Sequence, residues 1–532
     1  MLRVHQIKLM LDEDITLLKQ KCADKLRIPV TDIIEYQIVR ESLDARKHPL
    51  CFSYTVDVSI KNEKRCLHRK DVQKAVKYHY EMPKCGSEKA EGRVIVAGFG
   101  PAGMYAALLL AQMGYRPLVL EKGEMMEQRI QSVQQFWHNG TLNPESNVQF
   151  GEGGAGTFSD GKLTSRSKDP RSHKVLAEFV RFGAHSSILY EAYPHIGTDR
   201  LRGIVVNMRK EILRLGGEIR FSAALCDINI QEGQITHIKA DKEWIPCKAL
   251  ILAVGHSARD IFAMLAQKQV AMQQKSFAVG VRIEHPQAFI NEAQYKAYAK
   301  HPRLKAASYR LSYTTKKGRG VYSFCMCPGG SVVNSSSEHN ALVVNGMSEY
   351  ARDRENANSA ILVQVNPEDI GRDIMAGIQF QQDLERKAYQ IGKGYFAPVQ
   401  RLSDFLQKQA SVSIGKLKPT ILPGYTLCDL HMILPSFVSD ALAEAFVQFD
   451  HQLRGFLHED AILTGIETRS SSPLRILRNS DTLTSPTLSN LYPCAEGAGY
   501  AGGIVSAAID GLRCSEKVIE RFQSDYSEVC KR

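Results

Sequence analysis

No stretch of the 532-residue sequence approaches the roughly 18 consecutive apolar residues of a membrane span. The first residues, MLRVHQIKLMLDEDIT, lack the unbroken apolar core and small-residue cleavage site of a signal peptide. A soluble, cytoplasmic protein with no membrane partner is expected. The twelve cysteines show neither C-x2-C nor Cys/His metal spacing. A zinc site and a disulfide framework are therefore unsupported, and buried reduced thiols are expected. No metal-ligand set can be read. Internal repeats and low-complexity tracts are also missing.

What is present is an ordinary globular composition, 44% hydrophobic and 23% charged, with length for about three domains. The formal net charge is +11, and basic residues concentrate in KNEKRCLHRKDVQKAVK, Lys61 to Lys77. A solvated helix face is the simpler reading of that run. A nucleic-acid or acidic-partner patch is the competing one.

Residues 1–85 read as a small α+β, ferredoxin-like module. Asp14 can cap a helix carrying Ile15, Leu18, Cys22 and Leu26 at helical spacing, and Phe52, Tyr54, Val56, Val58 and Ile60 alternate as in a half-buried strand. The expected order is strand, helix, two strands and a basic helix. A polar linker, KCGSEKAEG, follows.

RVIVAGFGPAGMYAALLLAQMGYRPLVLEKG then reads as strand, glycine turn, helix and strand. Val94–Ala97 suit a buried parallel strand, Ala102–Met113 a helix capped by Gly114, and Pro117–Leu120 the next strand. Glycines at this spacing are weak evidence alone, but here they follow a strand and open a helix. Gly98 permits the tight turn, Gly100 lets backbone amides approach a pyrophosphate, and Gly103 allows close packing of helix on strand. Pro101 and Ala102 begin the helix, whose free N–H groups face the phosphates. Glu121 ends the second strand where a ribose-binding acid belongs.

The same unit serves NAD and FAD. A second element near the other end, NLYPCAEGAGYAGGIVSAAIDGLRCSEKVI, favours FAD, because the flavin half extends beyond the first unit. In it Glu496 and Gly497 suit the ribityl chain, and the amides at Gly502, Gly503 and Ile504 suit the ring. The stretch from Leu201 to Asp260 adds a helix, a hairpin and a buried strand ending in a turn at Ala253 and Gly255. QFGEGGAGTFSDGKLTSR repeats the glycine spacing but has no apolar helix after it. It reads as close backbone passage past the cofactor, through Gly153, Gly154, Ala155 and Ser159, with Asp160 and Lys162 near the reactive region. Lys122, Arg129 and Leu225 are placed along the same cofactor path. FAD is the expected cofactor, bound without a covalent link.

PESNVQFGEGGAGTFSDGKL, GVRIEHPQ, GRGVYSFCMCPGG, VVNGMSEYARDRENANSA, ETRSSSPLRILR and YPCAEGAGYAGGIVSAAIDG together resemble a bacterial family of FAD-dependent dehydrogenases in the glutathione-reductase-like FAD/NAD(P)-binding flavoprotein superfamily. The resemblance covers about residues 93–514. It implies an α/β fold in which a Rossmann-like FAD-binding domain, residues 92–275 and 459–532, is split by an inserted α+β substrate domain, residues 276–458. Glu496 stands where many of the wider superfamily carry Asp.

In the inserted domain, SFAVGVRIEHP reads as a strand carrying Arg282, Glu284 and His285, followed by a basic stretch with Arg310, Lys316, Lys317 and Arg319. Arg282, His285, Tyr309 and His195 are the catalytic candidates, either histidine or the tyrosine serving as acid or base. For Arg282 and His285 a buried ion pair is the competing reading. Glu467, Arg469 and Ser471 either line the ring or join the domains. If Val321–Cys327 is a regular strand, Cys325 and Cys327 share a face with Cα atoms about 6.6 Å apart and parallel Cβ directions, which disfavours a disulfide couple. Packed thiols, or one cysteine near the substrate, are then expected.

The leading expectation is an FAD-dependent oxidoreductase acting on a small metabolite, anionic ones included. NAD(P)H stays open as electron donor, without a dedicated second domain. A flavin-dependent RNA-modifying enzyme and a non-enzymatic FAD-stabilised interaction protein are the alternatives.

Overall fold

The computed structural model describes residues 1–46, 49–165 and 167–525. Its first unit is a four-stranded antiparallel sheet in the spatial order Ile33–Asp44, Cys51–Ile60, Leu2–Met10, Val72–Lys74. The helix Leu17–Leu26 packs on it through Leu18, Cys22 and Leu26. Asp14 accepts from the Thr16 N–H at 2.8 Å, while Ile15 precedes the helix and is exposed. Tyr54, Val56, Val58 and Ile60 turn inward as their alternation requires.

The basic run does not form the expected helix. It makes a short 3-10 turn, Glu63–Cys66, and then the edge strand Val72–Lys74, which pairs with Leu2–Val4. Only Cys66 and Val72 are buried there, six residues apart, and Asp71 takes φ 64°. A helix would have turned Lys70 or Gln73 inward beside Cys66, so pairing with the edge is the better burial. The following linker is not free either: Gly86 N–H donates to Ile519 O at 2.8 Å, against the end of the last helix. The module docks by one rung of strand pairing, Glu41 with Tyr190 and Ala192, and by Arg303, whose Nη1 donates to Leu11 O at 2.9 Å.

Five parallel strands form the centre of the second unit. Their spatial order is Glu218–Arg220, Leu118–Leu120, Arg93–Ala97, Glu243–Leu252, Leu491–Pro493. The first half of Glu243–Leu252 also joins an antiparallel meander with Gln234–Ala240 and Leu225–Gln231. Val94 and Val96 face one layer, made by helices Pro101–Gln112, Thr198–Arg214 and Ile504–Arg521, while Ile95 and Ala97 face the meander and helix Arg259–Gln267. Both faces are covered, which is why the strands read as unbroken apolar runs. The last helix crosses the first so closely that a Cβ on Gly511 would lie 2.1 Å from Ala102 O. This contact brings the two ends of the chain's α/β unit together.

The third unit is a seven-stranded sheet. Its order is Ser312–Thr314, Gly320–Cys327, Asn356–Val365, Phe277–Pro286, Ile462–Glu467, Ala397–Arg401, Tyr425–Leu427. Helices Ala376–Gly392 and Ser436–Gln452 pack against it. Ile462–Glu467 lies in this sheet, between two of its strands, and not in the α/β unit where a boundary at residue 458 would put it. Its residues are buried on both faces, so hydropathy alone gave no sign of which sheet it enters. Among the described residues no helix is long and apolar enough to cross a membrane.

Candidate functional site: a cleft between the two large units

One cleft runs from the first glycine turn to the edge of the third unit. At its first end Gly98 has φ 96°, and a Cβ there would stand 2.4 Å from Ala253 O, so only glycine passes. Gly100 is different: the nearest atom to a Cβ there is Gly154 Cα at 3.8 Å. That open space lies at the N-terminus of helix Pro101–Gln112, where free N–H groups attract an anion. Gly103 lies outside the cleft and packs on the turn, its Cβ position 1.9 Å from Gly98 O.

Glu121 is buried at the cleft wall. Its Oε2 accepts from Phe99 N–H at 2.7 Å, and its Oε1 accepts from Gly123 and Gly151, each at 2.9 Å. Three of about four acceptor positions are thus filled by backbone, leaving one for a ribose hydroxyl. Lys122, Leu225, Ala253 and Gly255 line the same end, and Lys122 pairs with Asp260 at 3.2 Å.

The second glycine stretch forms no second nucleotide fold. It lies back on the first turn, Gly153 N–H donating to Phe99 O at 2.8 Å, and continues into the 3-10 turn Ala155–Phe158. Gly154, Ala155, Ser159, Asp160 and Lys162 line the cleft, while Gly153 packs behind it. Arg129 is fully buried and does not reach the cleft. Its guanidinium donates to Asn147 O, Val148 O, Glu152 O, Gly154 O and Thr157 Oγ1. It therefore shapes the loop rather than touching a cofactor.

The C-terminal element supplies Ala495, Glu496, Gly503 and Ile504, with Gly503 at φ 79° as the N-cap of the last helix. Gly497 packs against Gly255, its Cβ position 2.5 Å from Gly255 O, and Gly502 stands behind Glu496. Burial pushes the Glu496 carboxyl up to about 7, with Lys275 opposing. His256, which sequence reasoning missed, lines the cleft beside Glu496, and burial brings its imidazole down to about 3. No motif marked it; only the turn after the strand Glu243–Leu252 brings it there. Cys494, Asp510 and Cys514 lie close enough together to hold an ion, but Arg478 occupies both Asp510 oxygens at 2.8 Å.

At the far end Phe324, Cys325, Asn345, Glu467, Arg469 and Ser470 close the cleft from the third unit. Arg282 stands one layer behind them, fully buried. Its Nε holds Glu467 Oε2 at 2.8 Å, Nη1 donates to Asn358 Oδ1 at 3.0 Å, and Nη2 donates to Cys325 O at 3.1 Å. It is a buried ion pair whose partner lines the cleft. Burial pushes the Glu467 carboxyl up to about 7 even beside that guanidinium. Arg469 both lines the cleft and joins the units, because Glu385 accepts from Arg469 and from Arg259 across the domain boundary.

The histidine and tyrosine candidates fall elsewhere. His285 is sealed in the third unit's core among Phe289 and Phe456, its Nε2 at 2.8 Å from Phe456 O, and burial lowers it to about 4. Tyr309 shares that core, with its phenol pushed up by burial. His195 stacks on Tyr350 and hydrogen-bonds its carbonyl at 3.1 Å behind the cleft wall. Alternation along Phe277–Pro286 could not separate core from cleft, because all but its last residue are buried.

Of the two cysteine expectations the second is met, Cys325 lining the cleft and Cys327 buried, but not by way of a regular strand. Gly320–Cys327 is not regular: Phe324 pairs with Ala360 and Cys327 with Asn358, so three steps on one strand match two on the other. Cys325 takes φ 42° at that bulge. The bulge rotates its side chain to the cleft and sets Cys327 against it.

The first end of the cleft thus offers a helix N-terminus to an anion and a free carboxylate acceptor position to a hydroxyl. Residues 276–470 match the family described as FAD-dependent protein, C-terminal domain-like, and residues 1–59 match a domain of unknown function. FAD is the cofactor, and the open space at Gly100 with the free acceptor position on Glu121 fits its nucleotide half. Among solved structures the chain is similar to the halogenase PltM with FAD (11% identity, 83% of this chain and 73% of that one, TM-score 0.39) and to CtdE with FAD (10%, 80% and 83%, TM-score 0.32). These distant likenesses assign no activity. A Clostridium beijerinckii protein described only as "Uncharacterized protein" is 48% identical over 528 residues, covering 98% of this chain and 99% of its own. The chain belongs to the same family as that protein.

Proposed function

We propose that the chain is an FAD-dependent oxidoreductase acting on a small molecule bound where the third unit closes the cleft. One observation carries the reading: a single cleft joins a nucleotide cradle to titratable side chains from both large units, Asp160, Lys162, Cys325 and Glu467. The parallel strand order 3-2-1-4-5 in chain numbering supports a Rossmann-type cofactor domain split by the third unit. Bound FAD supplies two-electron transfer, and the protein's share is to place the substrate and handle protons.

In this reading Glu467 handles the proton. A carboxyl near 7 is half-ionised at neutral pH, where a general acid or base works best. Arg282 fixes Oε2 and leaves Oε1 to the cleft, so Arg282 is a positioning residue. Asp160 is held by Arg352 and by Lys162 at 2.8 Å, which anchors the Lys162 ammonium at the same end. NADH or NADPH enters this scheme as a donor using the same cleft.

The test is anaerobic reduction of the purified yellow protein by NADH, NADPH and a metabolite panel, followed by flavin absorbance. Reduction by one donor, with a pH break near 7 that Glu467→Gln removes, supports the reading. A flavin that no donor reduces and no acceptor reoxidises overturns it.

A further inference from the structure

Two thiols stand at the third unit's end of the cleft, and the proton handling by Glu467 uses neither. Cys325 lines the cleft from the apex of a β-bulge, at φ 42°, a conformation that a side-chain-bearing residue seldom adopts without a reason. Cys327, two residues on, is fully buried, and its Sγ lies 3.2 Å from Cys325 O. Two cations converge on the pair. Lys162 Nζ is bound to Met326 O between the two cysteines, and Arg282 donates to Cys325 O and approaches Cys327 Sγ at 4.0 Å. In a regular strand the two side chains would lie parallel on one face; the bulge turns Cys325 to the cleft and leaves the Cys327 thiol donating to Cys325 O.

We propose that Cys325 and Cys327 form a thiol–disulfide exchange site, with Cys325 as the attacking thiolate, Cys327 as the resolving thiol and a small-molecule disulfide as the electrophile. This deepens the oxidoreductase reading and rests on it for the cleft being a substrate site. The electrostatics agree. Interaction with the Cys327 thiol, then Lys162 and Arg282, outweigh burial and hold the Cys325 thiol down at about 5, while Cys327 is raised and keeps its proton.

In the first step the Cys325 thiolate attacks one sulfur of R–S–S–R. The substrate S–S bond breaks, a Cys325–S–S–R bond forms, and RS⁻ leaves. Cys327 then attacks the Cys325 sulfur and expels the second RS⁻, and the Cys327 proton passes to one of the two products. One thiolate, one thiol and one disulfide become the Cys325–Cys327 disulfide, RS⁻ and RSH. The substrate gains two electrons and the protein loses two. The pair returns to thiolate and thiol on taking up two electrons and one proton, which reduced FAD, held in the same cleft, would supply.

The test uses the full-length holoprotein carrying Cys226→Ser, since Cys226 is the exposed thiol among the described free cysteines. The probe is 5,5′-dithiobis(2-nitrobenzoate), with aryl thiolate release followed by absorbance and the protein weighed intact. The expected result is a fast phase of two aryl thiolates per chain with no aryl group retained and two hydrogens lost. Cys327→Ser should release one and keep the aryl adduct, and Cys325→Ser should lose the fast phase by at least tenfold. Flavin occupancy in each variant reports folding. An adduct that persists in the parent, or a fast phase that survives Cys325→Ser, overturns the proposal. If the parent retains its adduct while a donor still reduces the flavin, the exchange site falls and the oxidoreductase reading stands. If the pair exchanges but no donor or acceptor turns the flavin over, the oxidoreductase reading falls and the exchange site stands without the cofactor as its reductant.

Discussion

Glu121 and Gly151, thirty positions apart in sequence, meet through a 2.9 Å hydrogen bond in which the carboxylate accepts the amide of the second glycine stretch. The same carboxylate holds Phe99 of the first glycine turn and Gly123 beyond its own strand. One acid thus ties both glycine loops to the sheet and faces the cofactor end of the cleft.

Glu121→Ala should therefore act on the fold as well as on FAD. Losing charge-assisted bonds to buried amides costs about 1.5–3 kcal/mol each at most. We expect destabilisation of about 2 kcal/mol or more in the apoprotein, together with weaker FAD retention. Chemical denaturation of apoprotein beside flavin release measures the two parts. Unchanged apoprotein stability would leave Glu121 as a ribose ligand alone.

The two glycines of the first turn should separate binding from folding. At Gly100 a side chain meets open space, so Gly100→Val should fold and lose FAD. At Gly98 it meets Ala253 O at 2.4 Å with φ 96°, so Gly98→Ala should lose about 1–3 kcal/mol of stability or more. Melting curves and flavin content of both variants check this. Full flavin occupancy in a folded Gly100→Val protein would move the cofactor elsewhere.

The Glu467 carboxyl predicts a slope of stability against pH. Below its ordinary value of 4.5 the group is protonated whether folded or unfolded. Between 4.5 and about 7 the unfolded chain releases the proton and the folded one keeps it, so stability falls as pH rises, and above about 7 the loss is complete. The size is on the order of 3 kcal/mol. His195 and His285, lowered from 6.5 to about 4, slope the other way across about 4 to 6.5, largely the same range, as stability is gained while the unfolded imidazoles lose protons. The difference between wild type and Glu467→Gln isolates the carboxyl. Urea midpoints of apoprotein at pH 5, 6 and 8 should show the variant gaining on wild type with rising pH, and parallel curves would refute the shift.

His285→Phe tests its placement in the core. The substitution leaves Phe456 O without its partner, at a cost of about 1–3 kcal/mol, and should leave flavin content and reduction rate alone. A rate loss above tenfold at unchanged melting temperature would return His285 to the chemistry.

The first end of the cleft was legible in the sequence because its requirements are local. Gly98, Gly100, Gly103 and Glu121 sit within one strand–turn–helix–strand unit, where backbone geometry and phosphate contact restrict residue type directly. The C-terminal element with Glu496, Gly503 and Ile504 was legible for the same reason. Tertiary structure decided which candidates close the far end. Whether Arg282 and His285, neighbours on one buried strand, meet the cleft or the core depends on which sheets cover its two faces, and no periodicity records that when nearly every residue is buried. His256 reaches the cleft through pairings of strands far apart in sequence, and the same pairings decide that Glu467 and Arg469, expected either to line the ring or to join the units, do line the cleft. The nearness of Cys325 and Cys327 depends on one unmatched residue in a strand register. Register is a relation between two strands, and the sequence of either one leaves it open.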